Sequence, residues 1–202
     1  MPFYVLKLGG SLITSAKDLM LRLLDLTDEG YGFLVIPGGG PMADLVRDIF
    51  ARMNISDEAA HWMAILAMEQ YAYILADGTG ARLTREIRRS SSLEVLLPYH
   101  ALLENDVGLC HSWDYTSDSV AAIAAARLDA DIIKATDVDG IILDGKLIGD
   151  ICANDLMGRR TCIDQGTLQQ LKGRRCWILN GSDPEKFVSM LKTGTGGTVI
   201  RG

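Results

Sequence analysis

Short apolar runs that end at glycine clusters occur twice near the start of this chain, and they restrict the folds open to it. The run Phe3–Leu6 leads through Lys7 into Gly9-Gly10, and the run Phe33–Ile36 leads directly into a Pro-Gly-Gly-Gly-Pro segment over 37–41. A stretch with the helical spacing of apolar residues follows each turn. Strand, glycine turn and helix in repeated order predict a doubly wound α/β fold with a mostly parallel central sheet.

Similar patterns continue along the chain and, without a repeat or linker, predict a single domain. Helices are expected over 15–28, 42–53, 56–76, 121–128 and 184–191, with a broken helix over 155–171. Further strands are expected over 93–97, 132–133, 141–143, 176–179 and 198–200. On the helix over 42–53, the spacing predicts four inward-facing side chains: Leu45, Val46, Ile49 and Phe50.

Composition argues against several classes of protein. The 202 residues carry a formal net charge of −6, which disfavours nucleic acid as a partner because phosphate backbones attract basic surfaces. No apolar run is long enough to span a bilayer, and Lys7 interrupts the first run too early for a secretion signal. We therefore expect a cytoplasmic protein without a membrane partner. Four widely spaced cysteines, which form no cluster with the histidines, predict reduced, mostly buried thiols and no metal site.

Lys7 and the glycines after it form the first candidate site. Open α/β sheets bind ligands at the carboxyl ends of their strands, which is where Lys7 is expected. Glycine lets the backbone approach an anion closely, and a nearby ammonium group suits the charge of a polyphosphate. Asp118 is expected in the first turn of a later helix, where its carboxylate would hold an ammonium group or position magnesium. Taken alone, the glycine pair slightly favours a plain strand-to-helix turn beside a surface lysine, because short Gly-Gly turns are common.

The arginine-rich segment over 82–89 has two interpretations. It is either the solvated face of a helix or a patch that receives phosphate. Two common nucleotide-binding motifs are missing, because neither the P-loop spacing nor the Rossmann glycine fingerprint occurs in the chain.

Several segments, in the same order along the whole chain, resemble the amino acid kinase family. They are Lys7–Ser11, Ile36–Pro41, Thr116–Ala122, Ala135–Ile141, Asn180-Gly181 and Gly197–Ile200. The resemblance implies a three-layer αβα fold of the carbamate kinase type, formed by residues 1–202 as one domain. It also implies that residues of about 1–115 bind the phosphoryl acceptor and residues of about 116–202 bind ATP.

By this resemblance the protein is a phosphotransferase that uses ATP and Mg2+, with Lys7 and Asp118 as catalytic residues. The residues implied in binding ATP and its phosphates are Gly9, Gly10, Ser11, Lys134, Thr136, Asp137 and Gly140. One departure is that the family's second catalytic lysine, in a Gly-Gly-Met-x-x-Lys segment, is missing from the region over 159–166. Either Arg159, Arg160 or Lys172 substitutes for it, or magnesium and backbone amides stabilise the transition state more heavily.

A smaller branch of the family, from archaea and methylotrophs, shares His111-Ser112-Trp113 and the segments over 153–156 and 180–185. It includes the methanofuran-biosynthesis kinase that converts [5-(aminomethyl)furan-3-yl]methyl phosphate to its diphosphate. Such an acceptor favours an aromatic surface and a carboxylate for its ammonium group. The expected acceptor-binding residues are Gly38, Gly39, Gly40, Trp113, Asp114 and Ser117. Trp113 fits equally well a core or interface position, and Asp114 a loop cap.

Other functions stay open at the level of sequence. The acceptor could be isopentenyl phosphate, uridylate or an amino-acid carboxylate, and a non-catalytic nucleotide-binding or storage protein could share the fold. The helix over 56–76 is apolar around much of its circumference, so it is either buried in the core or in contact with a second subunit. We expect a homo-oligomer.

Overall fold

Ten strands and eight α-helices make up the computed structural model, which describes residues 1–202. The strands are β1 (Phe3–Leu8), β2 (Gly32–Pro37), β3 (Arg82–Thr84), β4 (Leu93–Leu96), β5 (Ile132–Thr136), β6 (Ile141–Leu143), β7 (Lys146–Ile148), β8 (Asp150–Cys152), β9 (Arg175–Asn180) and β10 (Thr198–Arg201). The helices are α1 (Ala16–Asp28), α2 (Gly40–Met53), α3 (Asp57–Ala76), α4 (Pro98–Leu102), α5 (Ser117–Leu128), α6 (Ala153–Leu156), α7 (Gln165–Gln170) and α8 (Pro184–Thr193).

Eight strands form the central sheet in the order β3-β4-β2-β1-β5-β9-β10-β8, and β6 and β7 form a separate hairpin. Every neighbouring pair in the sheet is parallel except β9 and β10, which are antiparallel. The expected mostly parallel sheet is therefore confirmed. Because the six strands from β3 to β9 run in one direction, their carboxyl ends meet at one edge of the sheet.

Helices cover both faces of this sheet, which confirms the three-layer arrangement. The buried side chains of β1 alternate between the faces: Val5 packs with the core around α5, whereas Leu6 and Leu8 pack with the core around α1 and α8. Strand β5 alternates in the same way, with Ile132 on the α5 face and Ile133 on the other. None of the helices combines the length and apolar character that crossing a membrane requires.

Local capping chemistry begins several helices where the sequence predicts. The Ser56 side chain accepts a hydrogen bond of 3.2 Å from the amide of Ala59 at the start of α3. Thr116 is the N-cap of α5, and Pro184 occupies the first turn of α8 behind an Asp183 cap. These bonds satisfy amides that have no partner inside the helix.

The region over 155–171 departs most from the sequence-based expectation. Instead of one interrupted helix it contains two short helices, α6 and α7, joined by a loop over 157–164. Gly158 lies just after α6 with a φ of +75°, a left-handed conformation that ends helices, and Asp164 caps α7. Strand β8 lies just before α6 in the chain and pairs with β10. The sequence patterns do not predict this strand.

Two predictions about burial are wrong. Leu45 is exposed rather than inward-facing, because α2 packs on α3 through Ala43 and Val46 instead. Among the four free cysteines only Cys176 is buried, whereas Cys110 and Cys152 are exposed.

The arginine-rich segment is not helical, because it begins with the edge strand β3. Arg88 binds the buried carboxylate of Glu94 at 2.8 Å. Arg89 donates to the carbonyls of Leu128 and Asp129 at the end of α5, and its guanidinium lies over the ring of Phe3. Because Phe3 begins β1 and Lys7 lies near its end, this arginine is at the opposite edge of the sheet from Lys7 and has a structural role.

Candidate active site

Two buried lysines share one buried carboxylate on the α5 side of the sheet. The ammonium nitrogen of Lys7 lies 2.9 Å from Oδ1 of Asp118, and that of Lys134 donates to Oδ2 of the same carboxylate. The register of β1 and β5 pairs Lys7 directly with Lys134, so both side chains point to the face covered by α5. Each of the three residues is less than 10% exposed, at 8%, 4% and 6% for Lys7, Lys134 and Asp118.

The electrostatics of this group keep the carboxylate ionised. Burial alone would raise the pKa of Asp118, but the charges of Lys134 and Lys7 outweigh it and hold the pKa at about 2. Burial lowers the pKa of Lys7, although Asp118 opposes this effect. Burial would also lower the pKa of Lys134, but its contact with Asp118 raises the pKa instead. Two positive charges and one negative charge leave a net +1.

Asp164 holds the first turn of α5, and therefore Asp118, in position. Its carboxylate accepts from the amide and hydroxyl of Thr116 at 2.8 and 2.7 Å, and from the amide and hydroxyl of Ser119 at 3.2 and 2.9 Å. It also accepts from the amide of Thr167 at 2.7 Å, which caps α7. The Asp164 carboxylate thus binds backbone amides at the starts of both α5 and α7. Sequence reasoning missed this residue, although the Asp-x-x-Thr spacing at 164–167 is a capping signal.

Lys134 lies where a second cation of the site would be expected. Besides Asp118, its ammonium group binds the carbonyl of Cys162 in the loop before α7. The substitutes suggested by the sequence, Arg159, Arg160 and Lys172, are all exposed, and none of them binds Asp118. Lys134 itself was expected only to touch the nucleotide.

The two glycine turns pack directly against each other at the carboxyl ends of β1 and β2. A Cβ on Gly10 would lie 2.4 Å from the Cα of Gly40, and one on Gly38 would lie 2.6 Å from the amide nitrogen of Gly10. A Cβ on Gly9 would lie 3.1 Å from the carbonyl of Ala135. Only glycine permits this close approach, which brings the loops beside the paired lysines.

Ser11 and the end of β5 form a second polar group at the same edge. The Ser11 hydroxyl donates to Oδ1 of Asp137 at 2.9 Å, and the Thr136 hydroxyl donates to the same oxygen at 3.2 Å. The bond from Ser11 contributes most to a lowered pKa of Asp137. Gly140, at a φ of +141°, packs against the hydroxyl of Thr198. These contacts connect the Gly9–Ser11 turn to the second half of the sheet.

A cavity, here called the lateral cavity, lies between α2, α3 and the residues over 109–117. The space between these elements is about 580 Å³ including the solvent at its open mouth, and about 60 Å³ of it admits the centre of a water molecule. Of the predicted acceptor residues, Gly39, Trp113 and Ser117 line it. Asp114 does not, because it is exposed and its carbonyl accepts from the amide of Gly166. Three residues that the sequence analysis did not select also line the cavity: Arg47, Asp57 and His61.

Trp113 is held against α2 by two contacts. The Arg47 guanidinium lies 5.3 Å from the centre of its ring system, and Phe50 meets it edge-on at 5.7 Å. Arg47 also forms an ion pair of 2.6 Å with Asp44. The indole is thus a fixed wall of the lateral cavity, and a cation already covers part of its surface.

His61, His111 and Asp106 form a cluster whose potential ligand atoms lie within 4.8 Å of one another, although the sequence predicted no such group. The two imidazoles are stacked, with centres 3.9 Å apart and planes at 13°. Ring-nitrogen lone pairs lie in the ring plane, so stacked rings do not direct them at one ion. Both nitrogens of His111 already bind carboxylates, one Glu58 and the other Asp106. The cluster therefore fits an imidazolium between two carboxylates better than a metal centre.

The pKa values of these two histidines are shifted in opposite directions. Burial would lower the pKa of His111, but its bonds to Glu58 and Asp106 outweigh burial and raise it. Burial, together with the neighbouring charge of His111, lowers the pKa of His61 to about 4. His61 is therefore neutral at pH 7, whereas the surroundings of His111, on which it stacks, favour the protonated imidazole.

This chain is similar in sequence to several known proteins. The sequence model of the amino acid kinase family matches residues 2–171. The [5-(aminomethyl)furan-3-yl]methyl phosphate kinase of Methanocaldococcus jannaschii is 38% identical, covering 94% of this chain and 93% of the relative. The uridylate kinase of Methanothermobacter thermautotrophicus is 27% identical, covering 97% of this chain and 98% of the relative.

Solved structures show the same fold. The uridylate kinase of Archaeoglobus fulgidus superimposes with a TM-score of 0.75 at 20% identity, over 99% of this chain and 100% of that one. The UMP kinase of Ureaplasma parvum superimposes with a TM-score of 0.77 at 15% identity, over 100% of this chain and 99% of that one. The chain therefore belongs to the amino acid kinase family, and it is a kinase.

Proposed function

We propose that the protein transfers the γ-phosphoryl group of ATP to the phosphate of [5-(aminomethyl)furan-3-yl]methyl phosphate, giving the diphosphate. The observation that carries this proposal is the buried group of Lys7, Asp118 and Lys134 beside the glycine turns, with the lateral cavity next to it. The relative named for this reaction is similar over nearly the whole chain, which supports the choice of acceptor.

In this proposal the two lysines stabilise the phosphoryl group during transfer. An oxygen of the acceptor phosphate forms a bond to the γ-phosphorus while the bond to the β–γ bridging oxygen breaks and ADP leaves. Negative charge lies on the transferring group and the leaving oxygen, where fixed ammonium groups act most strongly. Because Asp118 binds both lysines and α5 is held by Asp164, the cations are oriented before substrate arrives.

The nucleotide would lie at the turns after β1 and β5. Here Gly9, Gly10 and Ser11 face the end of β5, and Thr136, Asp137 and Gly140 complete the edge. Magnesium usually keeps several waters and binds one or two carboxylates together with phosphates. Asp137 fits this role because it is exposed and ionised, whereas both oxygens of Asp118 already bind lysine. When bound, Mg2+ would neutralise charge on the nucleotide phosphates.

The acceptor phosphate would bind where the lateral cavity meets the start of α5. Gly39 and Ser117 line this part, and Arg47, which also pairs with Asp44, lines the cavity about two turns further along α2. The Ser117 amide takes no part in the bonds to Asp164, which use the amides of Thr116 and Ser119. An amide at a helix start suits an anion. The acceptor would then lie on the β1–β4 side of the sheet and ATP on the β5–β10 side, the division that the family resemblance implies.

A panel of acceptors tests the proposed function. The purified protein would be given ATP, Mg2+ and one of four compounds: the aminomethylfuran phosphate, uridylate, isopentenyl phosphate or glutamate. We expect ADP release with the furan phosphate and a diphosphate product in the phosphorus NMR spectrum. The variant Lys7→Ala should bind nucleotide without turnover. Faster turnover with any of the other three acceptors would contradict the assignment.

A further inference from the structure

The segment that connects α4 to α5, residues 103–116, forms one wall of the lateral cavity and is here called the covering segment. Helices α2 and α3 form the opposite wall. We propose that His111 is a positioning residue that latches the covering segment to α3 through Glu58, and that release of this latch admits the acceptor. This inference rests on the proposed function, because it concerns acceptor binding at the same site.

On its other side the covering segment is attached to α5 and α7. The Arg127 side chain of α5 donates to the carbonyl of Asn105 at 2.9 Å. The Gln170 side chain of α7 donates to the carbonyl of Gly108 at 2.6 Å. Both bonds would persist if the covering segment moved away from α3.

Across the cavity, one hydrogen bond connects the covering segment to α2 and α3. It joins Nδ1 of His111 to the carboxylate of Glu58 near the start of α3. The other contacts between these two walls are made by rings and apolar side chains, such as His111 stacked on His61 and Trp113 against Phe50. The bond between His111 and Glu58 is therefore the polar link that holds the two walls together.

The charges around His111 make this link depend on pH. The titratable groups that face its ring are Glu58 and His61 on α3 and Asp106 on the covering segment. An imidazolium donates to both carboxylates, whereas a neutral imidazole donates to only one. Burial would lower the pKa of His111, but the bonds to Glu58 and Asp106 outweigh it and raise the pKa. The latch is thus complete below the ordinary histidine pKa and weakens as the pH rises through the raised value.

The latched cavity leaves little room for an acceptor. About 60 Å³ of it admits the centre of a water molecule, which corresponds to about four to six waters. The complete acceptor, a ring with two arms and a phosphate group, is larger than this, so the two walls must separate for it to enter. When only the open state binds a ligand, the apparent affinity falls in proportion to the fraction of open protein. A weaker latch should therefore improve acceptor binding.

Kinetics with ATP and the aminomethylfuran phosphate test this latch. At pH 6.5 we expect His111→Gln to lower the KM for the acceptor by about 3- to 10-fold, a modest effect because Glu58 is partly exposed. The kcat and the KM for ATP should change by less than about twofold. At pH 8.5 the acceptor KM of wild type should approach that of the variant. Comparison at the same pH cancels the ionisation of the acceptor phosphate itself, which titrates near pH ~6.

Two further variants separate the latch from a general structural effect. His111→Arg keeps a positive charge at both pH values, so its acceptor KM should exceed that of wild type by about 3- to 10-fold at pH 8.5. His100→Gln is the matched control, because His100 also binds a carboxylate of α3, that of Glu69, but lies on α4 outside the covering segment. It should leave the acceptor KM unchanged.

Hydrogen exchange measures the latch without an acceptor. The amides over 103–116 should exchange about 3- to 10-fold faster in His111→Gln than in wild type at pH 6.5, and at nearly equal rates at pH 8.5. Equal exchange at both pH values would overturn the latch, and faster exchange with an unchanged or raised acceptor KM would overturn its role in binding. Turnover of a different acceptor, with the exchange result as expected, would overturn the proposed function and leave the latch standing.

Discussion

Asp118 makes two buried lysines compatible with a folded core. The Asp118 carboxylate binds both ammonium groups and leaves a net charge of +1, which in the proposed function stabilises the phosphoryl group during transfer. Burying an unpaired charge is very costly, so the carboxylate has a structural role as well as a proposed catalytic one.

Replacement of this carboxylate should therefore make stability depend on pH. We expect Asp118→Asn to lower the free energy of unfolding at pH 7 by about 3–5 kcal/mol, because two buried ammonium groups lose their counter-charge. The pKa of Lys7 is already lowered by burial and would fall further. A base whose folded-state pKa is below its unfolded value binds more protons when unfolded, so stability should rise with pH.

Urea denaturation at pH 7 and pH 9.5 measures this effect. The deficit of Asp118→Asn relative to wild type should shrink at the higher pH. Asp150→Asn, which removes the exposed ion pair with Arg201, should cost less than about 1 kcal/mol at both values. A deficit of Asp118→Asn that is the same at both pH values would contradict the assigned role of the lysines.

Lys134 is expected to be the second catalytic cation. We predict that Lys134→Met lowers kcat by at least about 10²-fold, because one fixed positive charge is lost from the transition state. The protein should remain folded, since Lys7 and Asp118 would still form a neutral pair. Steady-state kinetics tests which residue supplies the second positive charge. The variants to compare are Lys134→Met, Arg159→Ala, Arg160→Ala and Lys172→Ala. A larger loss in any of the three controls would transfer the role to that residue.

Among the secondary-structure elements, the joint between α5 and α7 matters most for the site. Helix α5 is buried along most of its length, and only its first turn reaches the carboxyl edge of the sheet. Because Asp164 binds Thr116 and Ser119 as well as capping α7, a change in the loop over 157–164 would move Asp118 and the Cys162 carbonyl together.

Removal of this cap should affect both stability and turnover. We expect Asp164→Ala to lower the free energy of unfolding by at least about 2 kcal/mol, since several buried donors lose their acceptor. Misplacement of Asp118 and its lysines should lower kcat by about 10- to 100-fold.

Asp183→Ala is the matched control, because Asp183 caps α8 with one bond of 3.1 Å to the amide of Lys186. This variant should lose about 1 kcal/mol of stability and keep its kcat. Calorimetry measures the loss of stability in each variant, and steady-state kinetics measures the loss of kcat. An equal effect on kcat in both variants would mean that a general loss of stability, rather than a shift in the position of α5, lowers kcat.

For the whole molecule, the outer surface of α3 points to self-association. Leu66, Tyr73 and Ile74 are 42%, 55% and 48% exposed and lie on one side of the helix, at spacings of seven and eight residues. The exposed Gln70 separates Leu66 from the other two, and exposed apolar side chains grouped on one helix face are typical of interfaces. We expect a second copy of the chain to cover it.

Charged substitutions on this surface should dissociate the assembly. We predict a dimer or larger oligomer for the wild type by light scattering after size exclusion, and a monomer for the double variant Leu66→Asp, Ile74→Asp. Ile142→Asp, at an apolar position on the β6–β7 hairpin that is 65% exposed, should leave the assembly intact. A wild-type protein that is monomeric at high micromolar concentration would rule out this role for α3.

Local patterns were sufficient for most of the fold. Apolar runs ending at glycine, capping residues such as Ser56 and Thr116, and the helical spacing of α1 depend on interactions within a few positions of the chain. For the same reason the positions of Lys7 and Asp118, at a strand end and a helix start, could be predicted from sequence. The short strand β8 could not, because its pairing with β10 depends on a distant part of the chain.

Only the tertiary structure decided which side chains meet. Lys7 and Lys134 are 127 positions apart (134 − 7), and they become neighbours because β1 pairs with β5 in a register that sets both on the α5 face. Asp114 stands between two aromatic residues in the sequence, yet the return of α3 along α2 brings Asp57, and not Asp114, to the lateral cavity. Sequence thus determined the elements and the first lysine of the site. The direction of each side chain was decided by strand register and helix packing, which depend on contacts between residues far apart in the chain.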